Sequence, residues 1–158
     1  MKRIFLTLIL CSLFTNFFSQ KKKVIKNLKI KSVSESVEIK GKILMDSKTV
    51  FNNEGKVIEE YKYDDEGKLS SNTKYKFNVN NDVVEELDYN DKNKLTRKKV
   101  IKYNYSQKKS EELFFDENNK QIKKVVYQYS ANGLKTNKTT YDSLNNIVSV
   151  KKYSYTFK

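Results

Sequence analysis

Tyr61-Lys62-Tyr63-Asp64-Asp65-Glu66-Gly67-Lys68-Leu69 decides how the chain is read, because its last seven residues return every 12 to 14 positions. Each copy opens on an aromatic, usually continues with Asn or Asp, often has Gly or Asn in fifth place, and usually closes on an aliphatic. Phe51-Asn52 leads through Gly55 to Val57, Phe77-Asn78 to Val83, Tyr89-Asn90 through Asn93 to Leu95, and Tyr141-Asp142 through Asn145 to Ile147. Phe115-Asp116 through Asn119 and Tyr129-Ser130 through Gly133 are looser copies. A fixed internal period settles architecture before any other signal. Asp and Asn side chains hydrogen-bond the backbone two residues on, and Gly or Asn tolerates the positive φ of a tight hairpin turn. The flanks are rich in Val, Ile, Tyr and Thr, which suit a pleated, half-buried surface. Each unit therefore reads as strand, turn, strand, and the chain has no Pro to interrupt a ladder.

The expected fold is all-β: an antiparallel up-and-down meander of about ten strands in one strongly twisted, curled sheet built from repeated β-hairpins. Strands are expected near 36–45, 48–53, 56–64, 68–78, 82–90, 94–105, 110–116, 121–130, 134–142 and 147–157. Of the sixteen aromatics after residue 20, all but Phe114 fall on odd numbers, as do Val57, Leu69, Leu87, Ile101 and Val125. Side chains of a strand alternate faces with period two, so this parity predicts one apolar face and one wet face. Glu59, Arg97, Lys99, Lys123 and Lys151 are odd, while Ile58, Val100, Ile122, Val126 and Val150 are even. Two accounts fit these exceptions, a bulge near each of them or burial running out towards the strand ends.

The N-terminus has the form of a secretory signal peptide, residues 1–19: Lys2-Arg3, an apolar stretch Ile4 to Phe14, and Ser19 before the expected cut. Residues 20–35 are expected as a polar lead and 36–158 as a single domain. Cys11 is the one cysteine, so the mature chain holds no disulfide; the competing reading of Cys11 is a lipid-anchored N-terminus. Without Lys2 and Arg3 the chain has 30 basic and 19 acidic residues, a net charge of +11. Such a balance attracts anionic polysaccharide, lipid headgroups or nucleic acid, the last not expected as a specific partner. The plainer account makes the lysines a solvated face that blocks edge-to-edge aggregation.

The chain has no histidine, which removes the usual general base and the commonest metal ligand. Gly41, Gly55, Gly67 and Gly133 stand alone, so no phosphate loop or nucleophile elbow is present. Asp64 reads as a turn residue because Asp116 and Asp142 occupy its place in other copies. Neither a catalytic set nor a cofactor is expected. The candidate binding residues are the paired lysines Lys98-Lys99, Lys108-Lys109 and Lys123-Lys124. The pairs Tyr61/Tyr63, Tyr103/Tyr105, Tyr127/Tyr129 and Tyr153/Tyr155 are read as packing residues ahead of a stacking platform.

Tyr61-x-Tyr63-Asp64-x-x-Gly67-Lys68-Leu69 resembles the Tyr-Asp (YD, or RHS) repeat, whose usual form is Tyr-x-Tyr-Asp-x-x-Gly-Arg-Leu. With the weaker copies the resemblance covers about residues 49–158. It implies curled β-sheet and an exported bacterial setting, and it carries over no catalytic or binding residue. The expected function is an exported, non-enzymatic binding or structural module of the cell envelope, for an anionic polymer or glycan. Two alternatives stand beside it: a secreted protein–protein module, inhibitor or immunity-like, working through a sheet edge, and a small outer-membrane β-barrel.

Overall fold

The structure, a computed structural model, describes residues 22–158. The expected signal peptide and Cys11 lie outside the described residues. Ten strands follow one another: β1 Ser32–Ile39, β2 Lys42–Phe51, β3 Val57–Tyr63, β4 Leu69–Phe77, β5 Val83–Asn90, β6 Leu95–Tyr103, β7 Lys109–Phe115, β8 Gln121–Tyr129, β9 Lys135–Tyr141 and β10 Ile147–Lys152. They form one antiparallel sheet in sequence order. The sheet is open, with β1 and β10 as its edges, so its strands do not close into a barrel.

Eight turns share one geometry. In the second, Gly67 N–H donates to the Asp64 carbonyl, Asp64 N–H donates to the Lys68 carbonyl, and Asp64 Oδ1 accepts from the amides of Glu66 and Lys68 at 2.9 Å each. This is a three-residue hairpin loop, a type I turn followed by a residue in the left-handed region. That residue is Gly55, Gly67, Asn81, Asn93, Gln107, Asn119, Gly133 or Asn145, with φ between 56° and 81°. Asn52, Asn78, Asn90, Asn104, Asp116, Ser130 and Asp142 take the place of Asp64. The copy at Tyr103-Asn104 escapes the sequence pattern because Gln107 and Lys109 stand where Gly or Asn and an aliphatic are expected. Its geometry is that of the rest.

The opening aromatics are Phe51, Tyr63, Phe77, Tyr89, Tyr103, Phe115, Tyr129, Tyr141 and Tyr155, and the steps between them alternate strictly, one short and one long. The structural unit is therefore a pair of strands, as from Phe51 to Phe77 or from Tyr103 to Tyr129. After every one of these turns the register skips one residue on the outgoing strand. The skipped residues are Ile58, Ser70, Val84, Thr96, Ser110, Ile122, Thr136 and Val148. Each bulge reverses the parity of the strand it begins. Directly opposed residues share a face, so Tyr63, Tyr89, Phe115 and Tyr141 lie on one face, and Phe77, Tyr103, Tyr127 and Tyr129 on the other. The expectation of one apolar and one wet face is thereby corrected. A bulge stands beside each group of parity exceptions, at Ile58, Thr96, Ile122 and Val148. Both faces carry rings, two strands apart in each series, about 10 Å.

No second layer covers either face among the described residues. Among the described residues only Ile25, Ile101 and Val125 are buried apolar side chains, at 8, 3 and 4% exposure. Most side chains of the inner strands are half-buried, covered by cross-strand and diagonal neighbours. Lysine stems provide much of the cover, their charged ends standing over aromatic rings. Lys74 Nζ lies 5.3 Å from the centre of the Tyr89 ring, Lys98 5.3 Å from Phe115 and Lys124 4.6 Å from Tyr141. Tyrosines at equivalent places in successive units staple neighbouring strands: Tyr103, Tyr129 and Tyr155 donate to the carbonyls of Val83, Lys109 and Lys135 at 3.0, 2.8 and 2.9 Å.

The start of the domain departs from expectation. Residues 36–45, expected as one strand, span a hairpin. Lys40 and Gly41 both have positive φ, 51° and 76°, and form a two-residue turn that opposes Ile39 to Lys42. β1 thus takes up part of the expected polar lead. Ahead of it, a helical turn over 22–27 seats Ile25 against the β2–β3 turn. A Cβ on Gly55 would stand 2.8 Å from the Lys22 carbonyl oxygen.

Candidate anion-binding face

The charges are distributed unequally along the sheet. Strands β3 to β7 hold Glu59, Glu60, Glu85, Glu86, Asp88, Glu111 and Glu112, and most of these carboxylates pair with a cation on a neighbouring strand or, for Glu112, on the same strand. Lys74–Glu59, Lys76–Glu85 and Lys102–Glu111 lie on the Tyr63 face; Arg97–Asp88, Lys99–Glu86 and Lys109–Glu112 lie on the Tyr127 face. Strands β8, β9 and β10 contain Lys123, Lys124, Lys135, Lys138, Lys151 and Lys152 and no carboxylate. The lysines are spread over the whole sheet, but the acids are not, so the net charge gathers at its C-terminal end.

On the Tyr127 face of these strands, Lys138 is directly opposed to Lys151 and to Tyr127. Like charges in opposed positions destabilise a sheet, and neither lysine has an ion-pair partner among the described residues. Lys135 stands between two rings, 4.7 Å from the centre of Tyr127 and 5.6 Å from that of Tyr153. Lys138 lies 5.9 Å from Tyr127, and Lys151 5.6 Å from Tyr153. The result is a shallow surface on which three cations rim two tyrosine rings.

Glu112 fixes the Tyr127 end of this surface. It is only 8% exposed, lies between Ile101 and Val125, and accepts from Tyr127 Oη at 2.8 Å and Lys109 Nζ at 3.0 Å. Burial opposes its charge, but the hydrogen bonds from Tyr127 and Lys109 outweigh it and hold the carboxyl below its ordinary range. Burial and the same hydrogen bond drive the Tyr127 hydroxyl well above the ordinary tyrosine range, so the ring is a neutral donor. Tyr75 and Glu60, two units earlier in the chain, repeat this pair at 2.8 Å.

The expected lysine pairs do not act together. Adjacent strand residues point to opposite faces, so Lys98 and Lys124 lie on the Tyr63 face while Lys99 and Lys123 lie on the other. Lys99 is mostly buried and paired to Glu86 at 2.6 Å, and Lys109 is committed to Glu112. Lys108 donates to the Gly133 carbonyl and links two turns on one end of the sheet. Lys123 stands 3.9 Å from the Phe114 ring centre. Lys98 and Lys124 occupy equivalent places in successive units and donate to Asn119 and Asn145 at 3.3 and 2.9 Å. They form a second, sparser cationic row. Lys135, Lys138 and Lys151 are absent from the sequence expectation; the register of the β9–β10 hairpin, counted through the bulge at Val148, brings Lys138 and Lys151 together. Of the Tyr-x-Tyr pairs, Tyr105 projects fully exposed from its turn.

Asp64 and Asp142 serve their turns. Hydrogen bonds from the Lys68 amide to Asp64, and from Asn146 to Asp142, lower both carboxyls below their ordinary range. No group of three or more acidic, Cys or His side chains suited to a metal ion occurs among the described residues.

No family model matches the chain, and no curated protein does. Among solved structures, a protein with unknown function from Bacteroides fragilis NCTC 9343 is similar at 16% identity, with 80% of this chain and 95% of that one covered and a TM-score of 0.45. S. aureus TarM, in a mutant form complexed with fondaparinux, alpha-GlcNAc-glycerol and UDP, is similar at 18% identity and a TM-score of 0.31, covering 84% of this chain. A second TarM structure gives 19% identity, 85% coverage and a TM-score of 0.31. This chain spans 23 and 26% of those two TarM chains. Likenesses of this size carry no conclusion about function.

Proposed function

We propose that the chain is an exported, non-enzymatic module of the bacterial cell envelope that binds an anionic polymer or acidic glycan on the Tyr127 face of β8–β10. One observation carries this reading: Lys138 and Lys151 stand directly opposed, with no carboxylate on β8, β9 or β10, beside the rings of Tyr127 and Tyr153. An anion laid across the pair relieves their repulsion, and the half-buried Tyr127 and Tyr153 rings offer a sugar an aromatic edge beside the cations. Affinity then comes from several weak, screened contacts, with no pocket and no cofactor, and falls with salt through screening and counterion release. Export follows the form of residues 1–19. The aromatic-Asp/Asn hairpin unit is placed by the same reading with the YD repeats.

The test is retention on immobilised heparin, an acidic polysaccharide, with an uncharged dextran matrix as control. The expected result is that wild-type protein is retained on heparin alone and that Lys138→Glu/Lys151→Glu elutes at clearly lower salt. Lys98→Glu/Lys124→Glu reverses as much charge on the opposite face and shifts elution less. Equal shifts for the two double variants would show a response to net charge alone and remove the site.

The second reading, a protein–protein module, is favoured by a different observation: both edge strands are open along their whole length. Capture of a partner that survives Lys138→Glu/Lys151→Glu, with no heparin retention in the wild type, would support it over the first.

A further inference from the structure

The two open edges of the sheet are oppositely charged. β1 carries Glu35 and Glu38 and no cation; β10 carries Lys151 and Lys152 and no carboxylate. All eight residues of β1 and all six of β10 are exposed, a state no inner strand shares. Val33, Val37 and Ile39 lie open on one edge, and Ile147, Val148 and Val150 on the other. Alternate residues of an edge strand turn their N–H and C=O groups outward, ready to pair with another strand.

Direction and facing are also matched. Nine antiparallel steps separate β1 from β10, so these strands run in opposite senses. A second copy translated along the ladder therefore brings its β1 antiparallel to β10, with both faces continuous across the join. Glu35 is opposed to Ser47 and lies on the Tyr127 face, with Lys151; Glu38 lies on the Tyr63 face, with Lys152. In the register that opposes Ser36 to Lys152 and Val37 to Lys151, each glutamate is diagonal to the lysine on its own face. Diagonal neighbours of this kind are within reach of long side chains. Pairing β1 with β1 sets glutamates against each other, and pairing β10 with β10 does the same with lysines. Charge selects the head-to-tail join over either two-fold one.

We propose that copies of this chain join edge to edge, β10 of one pairing with β1 of the next, into an extended ladder. The contact is heterologous and translational, so it does not close on itself and grows with concentration.

Sedimentation velocity of the purified protein over a concentration series, without added polyanion, tests this. The expected result is a weight-average mass that rises with concentration beyond a dimer. Glu35→Lys/Glu38→Lys makes both edges basic, and Lys151→Glu/Lys152→Glu makes both acidic. Each should move association to roughly tenfold higher concentration or more, while an equimolar mixture of the two associates again, because every basic edge then finds an acidic one. All four substitutions lie on exposed edge strands, and circular dichroism of each variant alone checks that the sheet is retained. Glu38→Lys alone gives a smaller shift in the same direction should a double variant lose its fold. A wild type that stays monomeric, a closed dimer, variants that associate as the wild type does, or a folded mixture that stays monomeric would each overturn the proposal.

Discussion

Replacing Tyr127 by Phe isolates the hydrogen bond that holds Glu112 in the sheet. The ring and its cation contacts remain, and only the 2.8 Å bond to Glu112 Oε2 is lost. A bond to a charged acceptor contributes about 1.5–3 kcal/mol, because the acceptor that loses its donor stays desolvated. For a domain of this size that is a fall in Tm of about 5–10 °C. The pH dependence makes the test specific. Glu112 has a folded-state pKa below its ordinary value of 4.5. Its contribution is therefore complete above about pH 4.5 and lost as pH falls through the folded value. The gap between wild type and Tyr127→Phe in urea titrations at pH 7 should narrow as the pH is lowered below about 4.5 and through the folded value. A gap under about 0.5 kcal/mol at pH 7, or one that does not change with pH, would refute the account of Glu112 as a charge held by Tyr127.

Gln107 occupies the left-handed position, φ 56°, that Gly or Asn fills in the other seven equivalent turns. Gln107→Gly should stabilise the fold by about 0.5–1 kcal/mol, whereas Gly67→Val, at φ 76°, should destabilise it by about 1–2 kcal/mol; thermal melts that reverse this order would contradict the turn assignment. At high pH, Tyr61 is pushed up to about 12 by its hydrogen bond to Glu59, with burial and that carboxylate's charge adding to it, while burial and their glutamate partners carry Tyr75 and Tyr127 further. Raised tyrosine pKa values mean stability present below about pH 10 and lost as pH rises through the folded values. Ultraviolet titration should accordingly show a late-ionising class that coincides with unfolding, and uniform ionisation near pH 10 in the folded protein would exclude it.

Strand number and order were legible because the turn carries its own chemistry: an Asx acceptor, then a Gly or Asn that tolerates positive φ. Where that chemistry lapses, at Gln107, the pattern does not mark the copy, although the alternation of short and long steps requires an aromatic at Tyr103. The facing was not legible from parity, since one skipped residue per turn reverses it. The skipped positions are nevertheless Ile, Val, Thr or Ser in all eight copies, and counting them restores the correct faces. Lys40-Gly41 is hidden because Val37, Ile39 and Ile43 alternate in sequence as a continuous strand would, although the two-residue turn, which opposes Ile39 to Lys42, puts Ile43 on the other face. The proposed binding surface is hidden for a related reason. Neighbours in sequence such as Lys123 and Lys124 suggest a cluster but point apart. Lys138 and Lys151, on successive strands, face each other only after the hairpin is closed and its bulge counted.

Each strand packs against the strands immediately before and after it in sequence, and no layer lies above or below among the described residues. Such a molecule is close to a one-dimensional lattice: its stability is a sum over neighbouring pairs. It should melt from its ends inward, so amide exchange should be fastest in β1 and β10 and slowest around Ile101, Glu112 and Val125. Contacts this local also favour rapid, zipper-like folding from any hairpin. Length becomes a free variable: excising or duplicating one two-strand unit leaves the direction, facing and turn chemistry of every remaining strand unchanged. The chain behaves less like a sculpted globule than like a ruled strip that can be cut at its own graduations.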